Sequence, residues 1–114
     1  ALLLSHAWRD PLLGVYLRAS TMDVTPVNGG RTRQLRTTNR LLGKRADILA
    51  GKTGFTDAAG QSLAVIAEND EGRPVVAVVL GSRDRFADMN TILDWTFWAY
   101  AWPSPSPAPS PSPS

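Results

Sequence analysis

Apolar residues step by three and four from Phe86 through Met89, Leu93, Phe97 and Tyr100, which predicts a helix from about Asp84 to Trp102 with one buried stripe. Ahead of it the period changes. Pro74 to Leu80 is a continuous apolar run stopped by Gly81, the pattern of a strand covered on both faces. Gln61 to Glu68, with Leu63, Val65 and Ile66, reads as its partner, and Asn69-Asp70-Glu71-Gly72 as the hairpin turn between them. Gly51 to Thr56 reads as a third strand. The expected architecture is α/β of the α+β kind: an antiparallel sheet of three strands with a long C-terminal helix packed on one face.

The first half of the chain is less regular. Residues 1 to about 9 read as the end of a helix, and because Ala1-Leu2-Leu3-Leu4 opens with no capping residue, as one entered from an upstream segment. Asp10-Pro11 fits an N-cap followed by proline at the first helical position, and Leu12, Leu13, Tyr16 and Leu17 then share a face. Thr21 to Val27 and Arg31 to Leu35 read as two short strands about an Asn28-Gly29-Gly30 turn, and Thr38 to Gly43 as a turn leading into the Gly51 strand. At Pro103 the composition shifts to proline alternating with serine or alanine. Such a segment has no apolar residues to bury and reads as an extended spacer. The expected division is a folded part, 1–102, and a disordered Pro/Ser tail, 103–114.

Composition narrows the chemistry. The 114 residues bound one domain or part of one, and 43% hydrophobic residues suffice for a core. A net charge of +2 makes no case for nucleic acid. Cysteine is absent, which removes disulfides and thiol chemistry, and the single histidine, His6, cannot build a metal site alone. The opening leucines are far fewer than the roughly 20 apolar residues of a membrane span and lack the flanks of a signal peptide. Arg31, Arg33, Arg36, Arg40, Lys44 and Arg45 form a basic stretch: a solvated surface, or an attraction for anionic cell-wall polymers.

The chemistry concentrates in Gly51-Lys52-Thr53-Gly54. An ammonium, a hydroxyl and a glycine in a row on an edge strand make a receptor for a carboxylate, the glycine letting another backbone come close. Gly51-Lys52-Thr53 is not the end of a phosphate-binding loop, since position 46 is Ala and the following pattern is a strand.

Lys-Thr-Gly is one of three motifs of the penicillin-binding proteins and serine β-lactamases. From Thr38 to Trp98 the order of features resembles the serine-type D-alanyl-D-alanine carboxypeptidases, the low-molecular-mass penicillin-binding proteins. The resemblance rests on Asn39-Arg40-Leu41-Leu42, on Gly51 through Gly60, on Val78-Val79-Leu80-Gly81, and on Leu93-Asp94-Trp95-Thr96-Phe97, with Thr96 where glycine is common. It implies the C-terminal part of a catalytic domain of β-lactamase/transpeptidase-like fold. It implies hydrolysis of the D-Ala-D-Ala bond of peptidoglycan stem peptides through an acyl-enzyme, without a cofactor or metal. It gives Lys52 a catalytic and substrate-binding role, Thr53 and Arg85 the terminal carboxylate, Gly54 the close approach, and the Phe55 N–H part of the oxyanion hole. Implied partners are the stem peptide, β-lactam antibiotics and the upstream half of the domain; the implied location is extracytoplasmic.

The other two motifs are missing. Only Lys44 and Lys52 are lysines, each preceded at three residues by leucine, so no Ser-x-x-Lys exists, and no serine begins a Ser-x-Asn. Three readings stay open: a carboxypeptidase fragment whose nucleophile lies upstream, a non-catalytic relative that binds peptidoglycan or a partner, and a β-lactamase fragment. The first predicts that the chain alone is inactive, marginally stable and prone to associate.

Overall fold

A computed structural model describes residues 1–100. The expected Pro/Ser tail, 103–114, lies outside the described residues. Two short helices, α1 (Leu2–Ala7) and α2 (Leu13–Arg18), precede a ribbon of β1 (Thr21–Val24) and β2 (Arg33–Arg36). A three-stranded antiparallel sheet follows, β3 (Ile48–Thr56), β4 (Gly60–Glu68) and β5 (Pro74–Ser82), and then α3 (Arg85–Ala99). The sheet order is β3-β4-β5, so the strand carrying Lys52 is an edge.

The core sits between the sheet and α3. Leu63, Val65 and Ala67 of β4 and Ala77 and Val79 of β5 alternate inward to meet Met89 and Leu93, with Ile48 and Leu41 at one end. Phe86 and Phe97 complete the α3 stripe from its margins. Arg45 pins this layer to the lead-in of β3. Its guanidinium grips Asp47 (Nε–Oδ1 and Nη2–Oδ2, both 2.8 Å), reaches Asp94 at 2.8 Å, and donates to Asn90 Oδ1 at 3.0 Å. The hydrogen bond to Asp47 raises the Arg45 pKa above its usual range, with burial opposing, so the clamp stays charged.

Two β-bulges shape the sheet. Between Leu63↔Val79 and Gln61↔Ser82, β5 uses three residues where β4 uses two. Gly81, at φ +64°, absorbs the extra one. Gly81 therefore does not end the strand as the apolar run suggests; the ladder resumes at Ser82. The bulge aims Ser82 at the start of α3. Its hydroxyl donates to the Asp88 carboxylate and accepts the Asp84 N–H, while the Asp84 side chain caps the helix on the Ala87 N–H at 3.0 Å.

Several expectations are corrected. The helix stops at Ala99 and Tyr100 is extended, not helical to Trp102. Pro103 has no N–H for the Ala99 carbonyl and its ring would crowd it. The Pro74–Leu80 run is covered on one face only: Val78 and Leu80 point outward, Leu80 77% exposed. Trp95 and Trp98 are exposed, Trp95 meeting Tyr100 edge-on at 5.6 Å. The ribbon strands are shorter and shifted, because Pro26 cannot donate to the ladder; the Thr25 and Thr32 hydroxyls close the loop at 2.6 Å. Asp10 Oδ1 accepts from the Leu12 and Leu13 N–H groups at 2.9 and 3.0 Å, but α2 starts at Leu13 with Leu12 at its N-cap, not at Pro11 as expected. Yet Leu12, Leu13 and Tyr16 stay exposed, since α2 finds nothing to cover that face among the described residues.

Candidate functional site

Lys52 owes its direction to the second bulge. Ile48 pairs with Ala67 and Ala50 with Ile66, so β3 uses two residues where β4 uses one. The extra residue resets the alternation of side chains. Ile48 belongs to the core under α3, whereas Ala50 and Lys52 stand across from Ile66 and Ala64 on the opposite face. Gly51 and Thr53, across from Val65 and Leu63, face the α3 side. The motif thus straddles the strand, with its ammonium on one face and its hydroxyl on the other.

The loop before β3 locks onto Gly51. A Cβ there would lie 2.7 Å from Asn39 Nδ2 and 2.9 Å from the Ala64 carbonyl, so only glycine fits. Asn39 is 1% exposed; its Oδ1 accepts the Leu41 N–H at 3.1 Å and its Nδ2 has no partner. One residue earlier, the Thr38 hydroxyl hydrogen-bonds the Thr53 hydroxyl at 2.5 Å. Gly54 is the contrary case: an added Cβ would meet only Ser62 Cβ, at an ordinary 3.7 Å. No internal contact requires glycine at 54.

Each of the two cations donates to a carbonyl of the strand. Lys52 is exposed and its Nζ donates to the Thr53 carbonyl at 2.6 Å. Arg85, from the first turn of α3, donates through Nη1 to the Gly54 carbonyl at 3.1 Å. Its own N–H donates to Gln61 Oε1 at 3.1 Å, and Gln61 pairs with Phe55 across the ladder. The Arg85 guanidinium lies 5.1 Å from the Phe86 ring centroid, and its Nε is buried without a partner. Lys52 and Arg85 therefore sit on consecutive carbonyls of an edge strand, and Phe55 beyond them is 62% exposed.

The structure brings Arg85 to the Gly54 carbonyl across 31 residues of sequence, while Lys52 stands on the face of β3 away from α3. Sequence reasoning missed Thr38, Gln61 and Phe86 as supports of the site. Their signal was faint: Thr38 opens the segment before the motif strand, and Phe86 looked only like the head of a core stripe. Beside Arg85 lies a cleft of about 570 Å³, lined by Arg36, Arg40, Arg83 and Arg85 together with Thr37, Thr38 and Phe86. Positive potential gathers there and at Lys52 with one carboxylate, Asp84, in the cleft lining. Such an arrangement can take a carboxylate end and lay its backbone along the free edge of β3.

No protein-family model and no curated protein matches the sequence. Solved structures do match the fold. A D-alanyl-D-alanine carboxypeptidase from Mycobacterium tuberculosis superposes over 85% of this chain and 38% of its own, with a TM-score of 0.71 at 20% identity. A point mutant of a Streptomyces DD-transpeptidase matches 82% of this chain and 39% of its own, with a TM-score of 0.74 at 25% identity. A Listeria monocytogenes penicillin-binding protein, with cefotaxime bound, matches 71% of this chain at 33% identity and a TM-score of 0.57. The chain spans 32% of that protein's length, and 38% and 39% of the lengths of the other two.

Proposed function

We propose that this chain, which shares the fold of D-alanyl-D-alanine carboxypeptidases and penicillin-binding proteins, is part of a serine-type D-alanyl-D-alanine carboxypeptidase and supplies its substrate-binding strand. The substrate is the D-Ala-D-Ala end of a peptidoglycan stem peptide, and the place of action is the cell envelope. A serine activated by a lysine, both contributed from outside these 114 residues, attacks the D-Ala-D-Ala carbonyl. The peptide bond breaks, D-alanine leaves with the proton, and water hydrolyses the ester. β-Lactams acylate the same serine.

In this reading each residue of the site has a role. The peptide adds to the open edge of β3, its backbone passing over Gly54, where nothing in the fold occupies the space. Thr53 and Arg85 hold the terminal carboxylate. Lys52 supplies positive potential toward the reacting serine from the other face of the strand. The Phe55 N–H serves the oxyanion that forms on the attacked carbonyl. The observation that carries the proposal is the placement of Lys52 and Arg85 on the consecutive carbonyls of Thr53 and Gly54 at an edge strand.

The test is kinetic, in the enzyme completed with its Ser-x-x-Lys and Ser-x-Asn segments. Lys52→Ala should lower kcat/KM about 30- to 1000-fold, the loss of one charge-assisted contact worth about 2–4 kcal/mol in the transition state. Arg85→Ala should weaken turnover of peptides with a free terminal carboxylate far more than of their amides. Unchanged kinetics in both variants would remove the site. The 114-residue chain alone should take no covalent adduct from a fluorescent penicillin; an adduct on any of its serines, seen by intact mass, would contradict the division of labour.

A further inference from the structure

One hydroxyl of the motif strand is held by another from the loop before it. Thr53 faces the α3 side of β3, and it is from α3 that Arg85 reaches the Gly54 carbonyl. The Thr53 Oγ1 lies 2.5 Å from the Oγ1 of Thr38, across 15 residues of sequence. Among the described residues, each of these two hydroxyls is bonded to the other and to nothing else.

Two hydroxyls carry two protons, and the contact between them uses one. Whichever oxygen accepts keeps its own proton free. If Thr53 donates to Thr38, it turns only lone pairs outward, and a carboxylate, itself acceptor-only, is repelled. If Thr38 donates, the Thr53 proton is left over for the carboxylate. In that arrangement every donor from Thr38 to Thr53 to carboxylate points the same way. Accepting a hydrogen bond also polarises the Thr53 hydroxyl into a stronger donor.

Thr38 is placed independently of this bond. The Thr37 N–H donates to the Ser20 carbonyl at 2.8 Å, and the Thr37 hydroxyl accepts the Asn39 N–H at 3.1 Å. Asn39, 1% exposed, rests on Gly51. The residues on both sides of Thr38 are thus fixed by the fold. Thr38 itself is exposed and Thr53 half-buried, so the pair is open to a ligand. An exposed threonine on an anchored loop has no packing duty for its hydroxyl, and the one contact that hydroxyl makes is with Thr53.

We propose that Thr38 is a positioning residue for the proposed reaction: it donates to Thr53 and so commits the Thr53 proton to the terminal carboxylate of the stem peptide. The inference rests on the reading of Thr53 as a carboxylate ligand and adds the group that acts through it. Thr38 itself does not touch the substrate.

The experiment is a double-mutant cycle in the completed enzyme, comparing turnover of a stem peptide ending in D-Ala-D-Ala with turnover of its terminal amide. Thr53→Val, isosteric and without a hydroxyl, should lower kcat/KM for the free acid about tenfold, the size of one hydrogen bond to a charged group. Thr38→Val should lower it about fivefold, as for one neutral hydrogen bond. That loss should fall on KM, because the carboxylate keeps its charge through the reaction. The amide, a neutral acceptor, should lose at most about twofold. Thr38→Ser, which keeps the hydroxyl, should stay within about twofold of the parent. In the Thr53→Val background, Thr38→Val should cost no more than about twofold further, since the residue it acts through is already disarmed. Three results overturn the inference: an unchanged free-acid rate in Thr38→Val, an equal loss on acid and amide, or a Thr38→Val effect that persists at full size without the Thr53 hydroxyl. Each leaves Thr53 and the proposed function standing. A failure of that reading looks different: Thr53→Val would itself leave the preference for acid over amide intact, and the inference would fall with it.

Discussion

The two faces of the sheet are unequal. Toward α3, Leu63, Val65, Ala67, Met89 and Leu93 are at most 1% exposed and interlock as one core. On the other face Ala50 and Ile66 are buried, as is Leu4 of α1, but Val78 and Leu80 stand open, and Leu2, Leu3, Leu13, Val15 and Tyr16 of α1 and α2 are exposed. Lys52 belongs to this second face. The chain thus keeps its stability on one side of the sheet. The other carries the motif lysine beside apolar surface that asks for a cover, as expected where a cleft is completed by further structure.

The comparison can be broken most sharply in the core. Leu93→Ala, at a fully buried site, should cost about 2–5 kcal/mol and unfold much of a marginal domain, read by denaturant titration. Gly51→Ala should come next, at about 1–3 kcal/mol, because its Cβ must displace Asn39 and the Ala64 carbonyl from a packed strand. A loss below about 0.5 kcal/mol there would mean that the lead-in loop does not rest on Gly51. Leu80→Ser on the open face should change the folding free energy by no more than about 0.5 kcal/mol while reducing self-association on size-exclusion chromatography. A core-sized destabilisation would show that the open face is packed after all.

What the sequence disclosed was local and periodic. The β4–β5 hairpin, with Leu63, Val65 and the Asn69–Gly72 turn, emerged nearly at its observed bounds, as did the start of α3; the Lys-Thr-Gly strand was read to its observed end at Thr56 but starts three residues earlier than expected, at Ile48. The bulge at Leu49 did not, since Ile48-Leu49-Ala50 is apolar throughout and an extra residue leaves no mark on such a run. The consequence was large, because that residue decides which face Lys52 occupies. The meeting of Arg85 with Gly54 depends on the Gly81 bulge and the Asp84 cap together, a geometry no spacing encodes. The leucines of α1 and α2 show the limit from the other side: a periodic pattern tells which residues want cover, and says nothing of where the cover comes from.

Gly54 joins the two halves of the account, since the fold has no need of a glycine there and the proposed substrate does. The direct test is Gly54→Ala in the completed enzyme, following thermal unfolding and acylation by a fluorescent penicillin in the same preparation. The account predicts an unfolding midpoint within about 1–2 °C of the parent, as for a substitution worth a few tenths of a kcal/mol, with acylation slowed at least tenfold, which corresponds to about 1.4 kcal/mol of lost transition-state binding. A lowered midpoint with unchanged acylation would make Gly54 a structural residue like Gly51 and would contradict the placement of substrate along β3.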